Sequence, residues 1–250
     1  MIDTKDTDKE HATCPFSKLK SSKLKSSKLK SSKLKSSKLK SSKLKSSKTP
    51  CPFTNILIKD GHLDAKKKWS VKNMQDALKK QKMSNVASFI FAKIIENVCK
   101  SKKLSSVSAK NISKPGVIEH PGSISRDDFG KGDYINFSDK QFNLIYKYFP
   151  NKKYITFTEL TEYRHFLYKK SLKESPNLNF GPGKIFTTGG ETCLLFISLS
   201  KNDKLSLKKM RDVFKQETLH DVEIKSINVS NLLSYYVQFY FHWFNASLKQ

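Results

Sequence analysis

Residues 138–149 read Ser-Asp-Lys-Gln-Phe-Asn-Leu-Ile-Tyr-Lys-Tyr-Phe, and residues 156–167 read Thr-Phe-Thr-Glu-Leu-Thr-Glu-Tyr-Arg-His-Phe-Leu. Ser138 with Gln141, and Thr156 with Glu159, have the spacing of a capping box, in which a hydroxyl and a side chain three residues on satisfy the free N–H groups of a helix start. Behind the first, Phe142, Ile145, Tyr146 and Phe149 recur at i, i+3, i+4 and i+7. The second leads into Leu160, Tyr163 and Leu167. This is the period of an amphipathic helix.

The same reading extends outward. Ser70 caps a helix to about Gln81 with Val71, Met74 and Leu78 on one face, and Ser84 opens a more apolar stretch (Phe89, Ile90, Phe91, Ile94, Ile95, Val98) that reads as a buried helix. Pro182 starts a helix through Ser200, expected to be interrupted at Gly189-Gly190. Ser206 caps a short one with Leu207, Met210, Val213 and Phe214. The last helix, from about Ser230, is crowded with aromatics from Tyr235 to Phe244. Residues 100–136 read as irregular. Alternation at period two scarcely occurs, so the expected fold class is mostly α, as a single helical domain over 49–250.

Residues 1–48 are different. From 17 to 48 the chain is six copies of Ser-Lys-Leu-Lys-Ser plus Ser-Lys, with 13 lysines and no acid. A five-residue period rotates successive leucines by about 140° on a helix and throws them onto alternate faces of a strand, so neither structure gains a buried face. A disordered N-terminal arm over 1–48 is expected. Residues 17–48 alone carry +13, half of the net charge of +26, residues 1–16 carry −2, and the remaining 202 residues hold a net +15. The arm reads either as a polyanion contact (nucleic acid or anionic lipid) or as a tract without a specific role. The globular part has no clustered arginines interleaved with aromatics, so nucleic-acid binding is at most accessory.

No apolar run reaches about 18 residues, so no transmembrane segment is expected. Residues 1–16 are polar and acidic, unlike a secretory signal, and a cytoplasmic location is expected. Four cysteines in 250 residues are no disulfide framework. Cys99 and Cys193 sit in apolar helical contexts and read as core.

Three places could carry chemistry. Cys51, in Thr49-Pro50-Cys51-Pro52-Phe53, lies on a stiff turn between prolines. Its thiolate is a soft donor suited to haem iron; equally, it reads as a surface cysteine. In Glu119-His120-Pro121-Gly122-Ser123, a carboxylate, a hydroxyl and a main-chain oxygen could converge on a hard cation such as Mg²⁺, or form an ordinary turn. Glu191 follows Gly189-Gly190 in an apolar segment. A carboxylate in such surroundings has its pKa raised and can shuttle a proton, whereas on an amphipathic helix it would simply face solvent.

Together and in this order, the three resemble the haem-thiolate peroxidases, the family of fungal chloroperoxidases and short unspecific peroxygenases. Pro50-Cys51-Pro52-Phe53-Thr54-Asn55-Ile56-Leu57, ending at Gly61-His62-Leu63, is similar to the family's thiolate segment. Glu119-His120-Pro121-Gly122-Ser123-Ile124-Ser125-Arg126 is similar to its Glu-His-Asp-x-Ser-x-Ser-Arg. Phe180 to Phe196, then Phe214-Lys215-Gln216-Glu217-Thr218-Leu219, is similar to its catalytic helix and later Phe-x-x-Glu-x-Leu. The spacings are 68 residues from Cys51 to Glu119 and 72 from Glu119 to Glu191.

The resemblance implies a peroxidase or peroxygenase that uses H₂O₂ to oxidise or oxygenate a small organic substrate, with haem b as cofactor. Cys51 would be the axial ligand to haem iron. Glu119, Ser123 and the His120 main-chain oxygen would hold Mg²⁺, tying the turn to the haem. Glu191 would be the acid–base residue, oriented by the His120 imidazole. Phe186, Phe196 and Ile197 would be channel candidates or core. The pattern departs at Pro121, where the family usually has Asp, and at Lys59-Asp60, where it has Asn-His. The alternative implied by Pro121 is a catalytically impaired member that binds haem. The lysine arm is not a family feature, and Cys14-Pro15-Phe16 repeats the Cys-Pro-Phe triplet without the rest of the pattern.

Overall fold

The described residues of the computed structural model are 48–175, 181–219 and 224–248. All lie in the unit Leu44–Gln250. The expected arm, its repeats and Cys14 lie outside them except for Lys48. That residue belongs with the fold: its main-chain oxygen accepts from Ser113 Oγ (2.8 Å) and its ammonium stands 3.2 Å from Glu217.

The chain is mostly helical. In order come α1 (Pro52–Lys59), α2 (Val71–Lys80), α3 (Asn85–Ser101), the short α4 (Ala109–Ile112), α5 (Asp139–Phe142), α6 (Leu144–Tyr148), α7 (Phe157–Glu174), α8 (Pro182–Leu199), α9 (Leu207–Gln216) and α10 (Val229–Leu248). A two-stranded antiparallel ribbon, β1 (Tyr154–Ile155) with β2 (Leu205–Ser206), pins the starts of α7 and α9 side by side through buried Ile155 and Leu205. None of the described helices is long and apolar enough to cross a membrane.

The capping residues act as expected. Ser70, Ser84, Thr156 and Ser206 accept from backbone N–H groups at their helix starts, and Thr156 with Glu159 forms the full reciprocal box. At Ser138 the box is only half made. Its hydroxyl accepts from Gln141 N, but the Gln141 amide donates to the Ser123 carbonyl (2.7 Å), and the helix breaks at Asn143 into α5 and α6.

The core is built where α7, α8 and α10 pack together, beside an α2–α3 hairpin. Phe142, Ile145, Leu160, Tyr163, Leu167, Phe196 and Phe239 are fully buried in it. α8 runs unbroken through Gly189-Gly190, against the expected interruption. The two glycines serve packing: a Cβ at Gly189 would come within 2.9 Å of the Phe239 ring, and one at Gly190 would collide with the Tyr236 hydroxyl, so α10 lies directly on the α8 backbone.

The expectation that α3 is a buried helix is also corrected. Phe89 and Ile90 are exposed, and only Ala87, Ser88, Ala92 and Cys99 are buried. The reason for its apolar sequence is a cavity. Phe91, Ile94, Ile95 and Val98, at i, i+3, i+4 and i+7, form one of its walls.

Candidate active site

That cavity encloses about 1740 Å³ including its open mouth. Apolar side chains from α1, α2, α3 and α8 make up most of the wall, and into it come Cys51, Glu119, His120, Ser123, Arg126 and Glu191. Segments up to 140 residues apart in sequence, from Cys51 to Glu191, therefore meet at one site.

Cys51 is the N-cap residue of α1, with extended backbone (φ −88°, ψ 114°) and Pro52 in the first helical position. Its exposed surface faces the cavity rather than bulk solvent, so the surface-cysteine reading fails. Burial raises the thiol's pKa. Thr54, through its hydroxyl and N–H, works the other way, the Glu191 charge adds to the rise, and Arg126 opposes it.

The segment around it is anchored by a buried network. Asn55 exchanges hydrogen bonds with the Thr49 main chain (2.7 and 2.9 Å) and donates to Glu217 Oε1 (2.8 Å). Arg126, only 1% exposed, donates to the same oxygen at 2.7 Å and to the Ile135 carbonyl at 2.7 Å. Glu217 can reach inward because it ends α9 in the left-handed conformation (φ 50°). Where the family pattern would have Asn, Lys59 instead donates to the Gln216 carbonyl (2.6 Å), tying the end of α1 to the end of α9.

Glu191 projects from the middle of α8. Its Oε2 lies 2.8 Å from His120 Nε2 and 2.9 Å from Arg164 Nη2. Arg164 also donates to the Gly122 carbonyl (2.9 Å) and stands 3.3 Å from His120 Nδ1. A guanidinium only donates, so this contact casts Nδ1 as an acceptor and leaves the ring proton on Nε2, facing Glu191. A longer 3.4 Å approach of Nδ1 to the Pro121 carbonyl would require the opposite tautomer.

These partners correct the expected raised pKa of Glu191. Burial does push the carboxyl up, but His120 and Arg164 outweigh it and hold it at about 2. The surroundings are not simply apolar, because α7 delivers a fully buried cation. Arg164 occupies the i+4 position of the stripe Leu160, Tyr163, Leu167. A charge on that apolar face is the sequence signal that could have found it.

The His120 turn is held tightly. Gly122 has φ +71°, and a Cβ there would lie 2.8 Å from backbone atoms of Leu167 and Tyr168. Only glycine lets the turn rest directly on α7. Gly122 N donates to Asp128 Oδ1 (3.0 Å).

Of the three oxygens expected to hold Mg²⁺, the two side-chain ones are otherwise engaged: Glu119 Oε1 accepts from Phe129 N (2.8 Å) and Ser123 Oγ from Ser125 N (3.4 Å). The neighbouring Glu119 carbonyl, rather than the expected His120 one, accepts from the Lys184 ammonium. A cation already stands at the turn, so these residues do not fit a magnesium ion beside it. Among the described residues no group of three or more His, Cys, Asp or Glu side chains could hold a metal. Of the channel candidates, Phe186 lines the cavity and stacks on Tyr236 (5.3 Å). Phe196 and Ile197 are core, Phe196 packing on Phe157 and Tyr235. Cys99 and Cys193 are buried core residues, as read.

A sequence model of the family described as Peroxidase, family 2, the fungal chloroperoxidase-type haem-thiolate peroxidases, matches residues 39–229. The chain belongs to that family. No curated protein matches it. Family membership makes it a haem peroxidase, with H₂O₂ and an organic molecule as fitting reactants. The cavity suits haem on its own terms: apolar walls for a flat macrocycle and one thiol as a soft iron donor.

Proposed function

We propose that this family 2 peroxidase is a haem-thiolate enzyme that oxidises or oxygenates a small organic substrate with H₂O₂, with Cys51 as the residue that would hold the iron and Glu191 as the acid–base residue. The observation that carries the reading is that one cavity receives both the Cys51 thiol and a carboxylate held by His120 and Arg164. Haem, held by the Cys51 thiolate, would supply the redox chemistry that activates the peroxide.

The protein's part divides among a few residues. Coordination to iron would displace the thiol proton of Cys51, so a thiol pKa raised by burial is no obstacle. Glu191, held near 2, is ionised at neutral pH, and with Oε2 taken by His120 and Arg164 it is Oε1 that is left to receive the peroxide's proton. Once protonated it is a strong acid and returns the proton to the departing oxygen. His120 and Arg164 are positioning residues that fix Oε2 at 2.8 and 2.9 Å. Arg164 stands 3.3 Å from His120 Nδ1, so the ring has a polar partner on that side although Pro121 stands where the family has Asp. That contact favours an active enzyme over an impaired haem binder. Phe186 and the apolar face of α3 give the substrate an apolar approach.

The test is the spectrum of the reduced, CO-bound protein reconstituted with haem. A Soret band at the thiolate-ligated position that disappears in Cys51→Ala and persists in Cys14→Ala supports the assignment; loss in Cys14→Ala alone sinks it. Peroxide-dependent oxidation of a phenol that is lost in Glu191→Gln supports the role given to Glu191.

A further inference from the structure

Lys184 and Glu191 lie seven residues apart on α8, two turns of helix, and so face the same way. Both reach the one turn Glu119–Ser123. The Lys184 ammonium donates to the Glu119 main-chain oxygen, and Glu191 meets His120, the next residue along. Lys184 is partly buried, which disfavours its ammonium; the Glu119 carboxylate favours the charge and Lys102 opposes it. The Glu119 carboxylate is turned to the Phe129 N–H, and Gln141 holds the Ser123 carbonyl.

We infer that Lys184 is a built-in cation that takes the place of a divalent metal at this turn, clamping it to α8 and so setting His120 against Glu191. This rests on the proposed place of the turn beside the haem. A divalent ion needs several oxygens pointing at one centre, and it dehydrates only for a well-formed set. Here a main-chain oxygen of the turn already has an ammonium, and a second cation within a few ångströms would meet its repulsion with little water to screen it. An ammonium asks for less. Its three donors take oxygens singly, without octahedral geometry. The clamp also explains why the register of α8 matters: one side of the helix carries both the tether and the reactive carboxylate, so the tether's position fixes the carboxylate's.

The full chain is dialysed against EDTA, then incubated with MgCl₂, desalted and analysed for metal. Wild type is expected to retain far less than one Mg²⁺ per chain, and to show the same melting temperature and haem dissociation constant in EDTA and in MgCl₂. Lys184→Ala is expected to weaken haem binding about tenfold in EDTA, the size of one lost charge-assisted hydrogen bond. MgCl₂ then restores much of that affinity, because the vacated turn is open to the ion, and Lys184→Arg retains wild-type behaviour. Should Lys184→Ala fold poorly, Lys184→Gln replaces it in the same comparison. Stoichiometric Mg²⁺ in the wild type, haem loss from the wild type in EDTA, or a Lys184→Ala protein indifferent to MgCl₂ overturns the inference. The metal content and melting of the haem-free wild type decide the point even if the Cys51 spectral test fails, so the two readings fail separately.

Discussion

The Cys51 segment and the Glu191 cluster meet in the same cavity but are built on opposite principles. Around Cys51 the reactive atom is neutral, and the charges stand back from it. Arg126 and Glu217 pair with each other at 2.7 Å and hold the chain through Asn55. Around Glu191 a charge bears on the candidate atom itself, with the Arg164 guanidinium and the His120 ring on one carboxylate oxygen. The first arrangement fixes a backbone and leaves a thiol to be claimed by a metal. The second fixes an ionisation state. A buried ion pair in the first serves position, and in the second it serves proton affinity.

The contrast is open to direct attack. Glu191→Gln keeps the shape of the cluster and removes the base. Peroxidase kcat/KM is expected to fall about 10²–10⁴-fold, with haem affinity and the Cys51-dependent Soret band unchanged. A mutant that keeps its activity would move the proton chemistry elsewhere. Glu217→Ala attacks the other region. It strands the buried Arg126 and frees Asn55, and a loss of about 3–5 kcal/mol in unfolding free energy is expected by denaturant titration. Should melting be unchanged and only the proton chemistry suffer, the division of labour drawn here would be wrong.

The ionised state of Glu191 has its own pH signature. The Glu191 carboxyl is depressed from an ordinary 4.5 to about 2. The stability it contributes is therefore present above about pH 4.5 and is lost as pH falls through about 2, on the order of 3 kcal/mol in all. Arg164→Met raises the Glu191 pKa. Its acid limb in kcat/KM against pH is expected to move upward, and the acid-induced loss of stability to begin at higher pH than in wild type. A superimposable profile would show that Arg164 does not govern the carboxylate. The smallest effect is expected at Gly190, where Ala collides with the Tyr236 hydroxyl at the α8–α10 contact. A melting experiment should show a loss of about 1–3 kcal/mol with the spectrum of Cys51-ligated haem retained.

The sequence alone determined the helices wherever local chemistry decides them. Ser70, Ser84, Thr156 and Ser206 cap their own helix starts, and the stripes behind them set which face turns inward. It also singled out Cys51, His120 and Glu191 as candidates, from their immediate neighbours and their order along the chain, and the fold brings all three to one cavity. Tertiary structure decided the rest. A helix stripe does not say whether its apolar face meets a core or a cavity, so α3 was read as buried when half its face lines the pocket. Two glycines read as a break because the ring of Phe239 and the hydroxyl of Tyr236, some 50 residues on, are absent from any local window. The pKa of Glu191 depends on Arg164, 27 residues away on another helix. The cation at the Glu119 turn depends on Lys184, 65 residues away. Electrostatic energies follow distance in space, and only the packing of α7 and α8 against the His120 turn sets those distances.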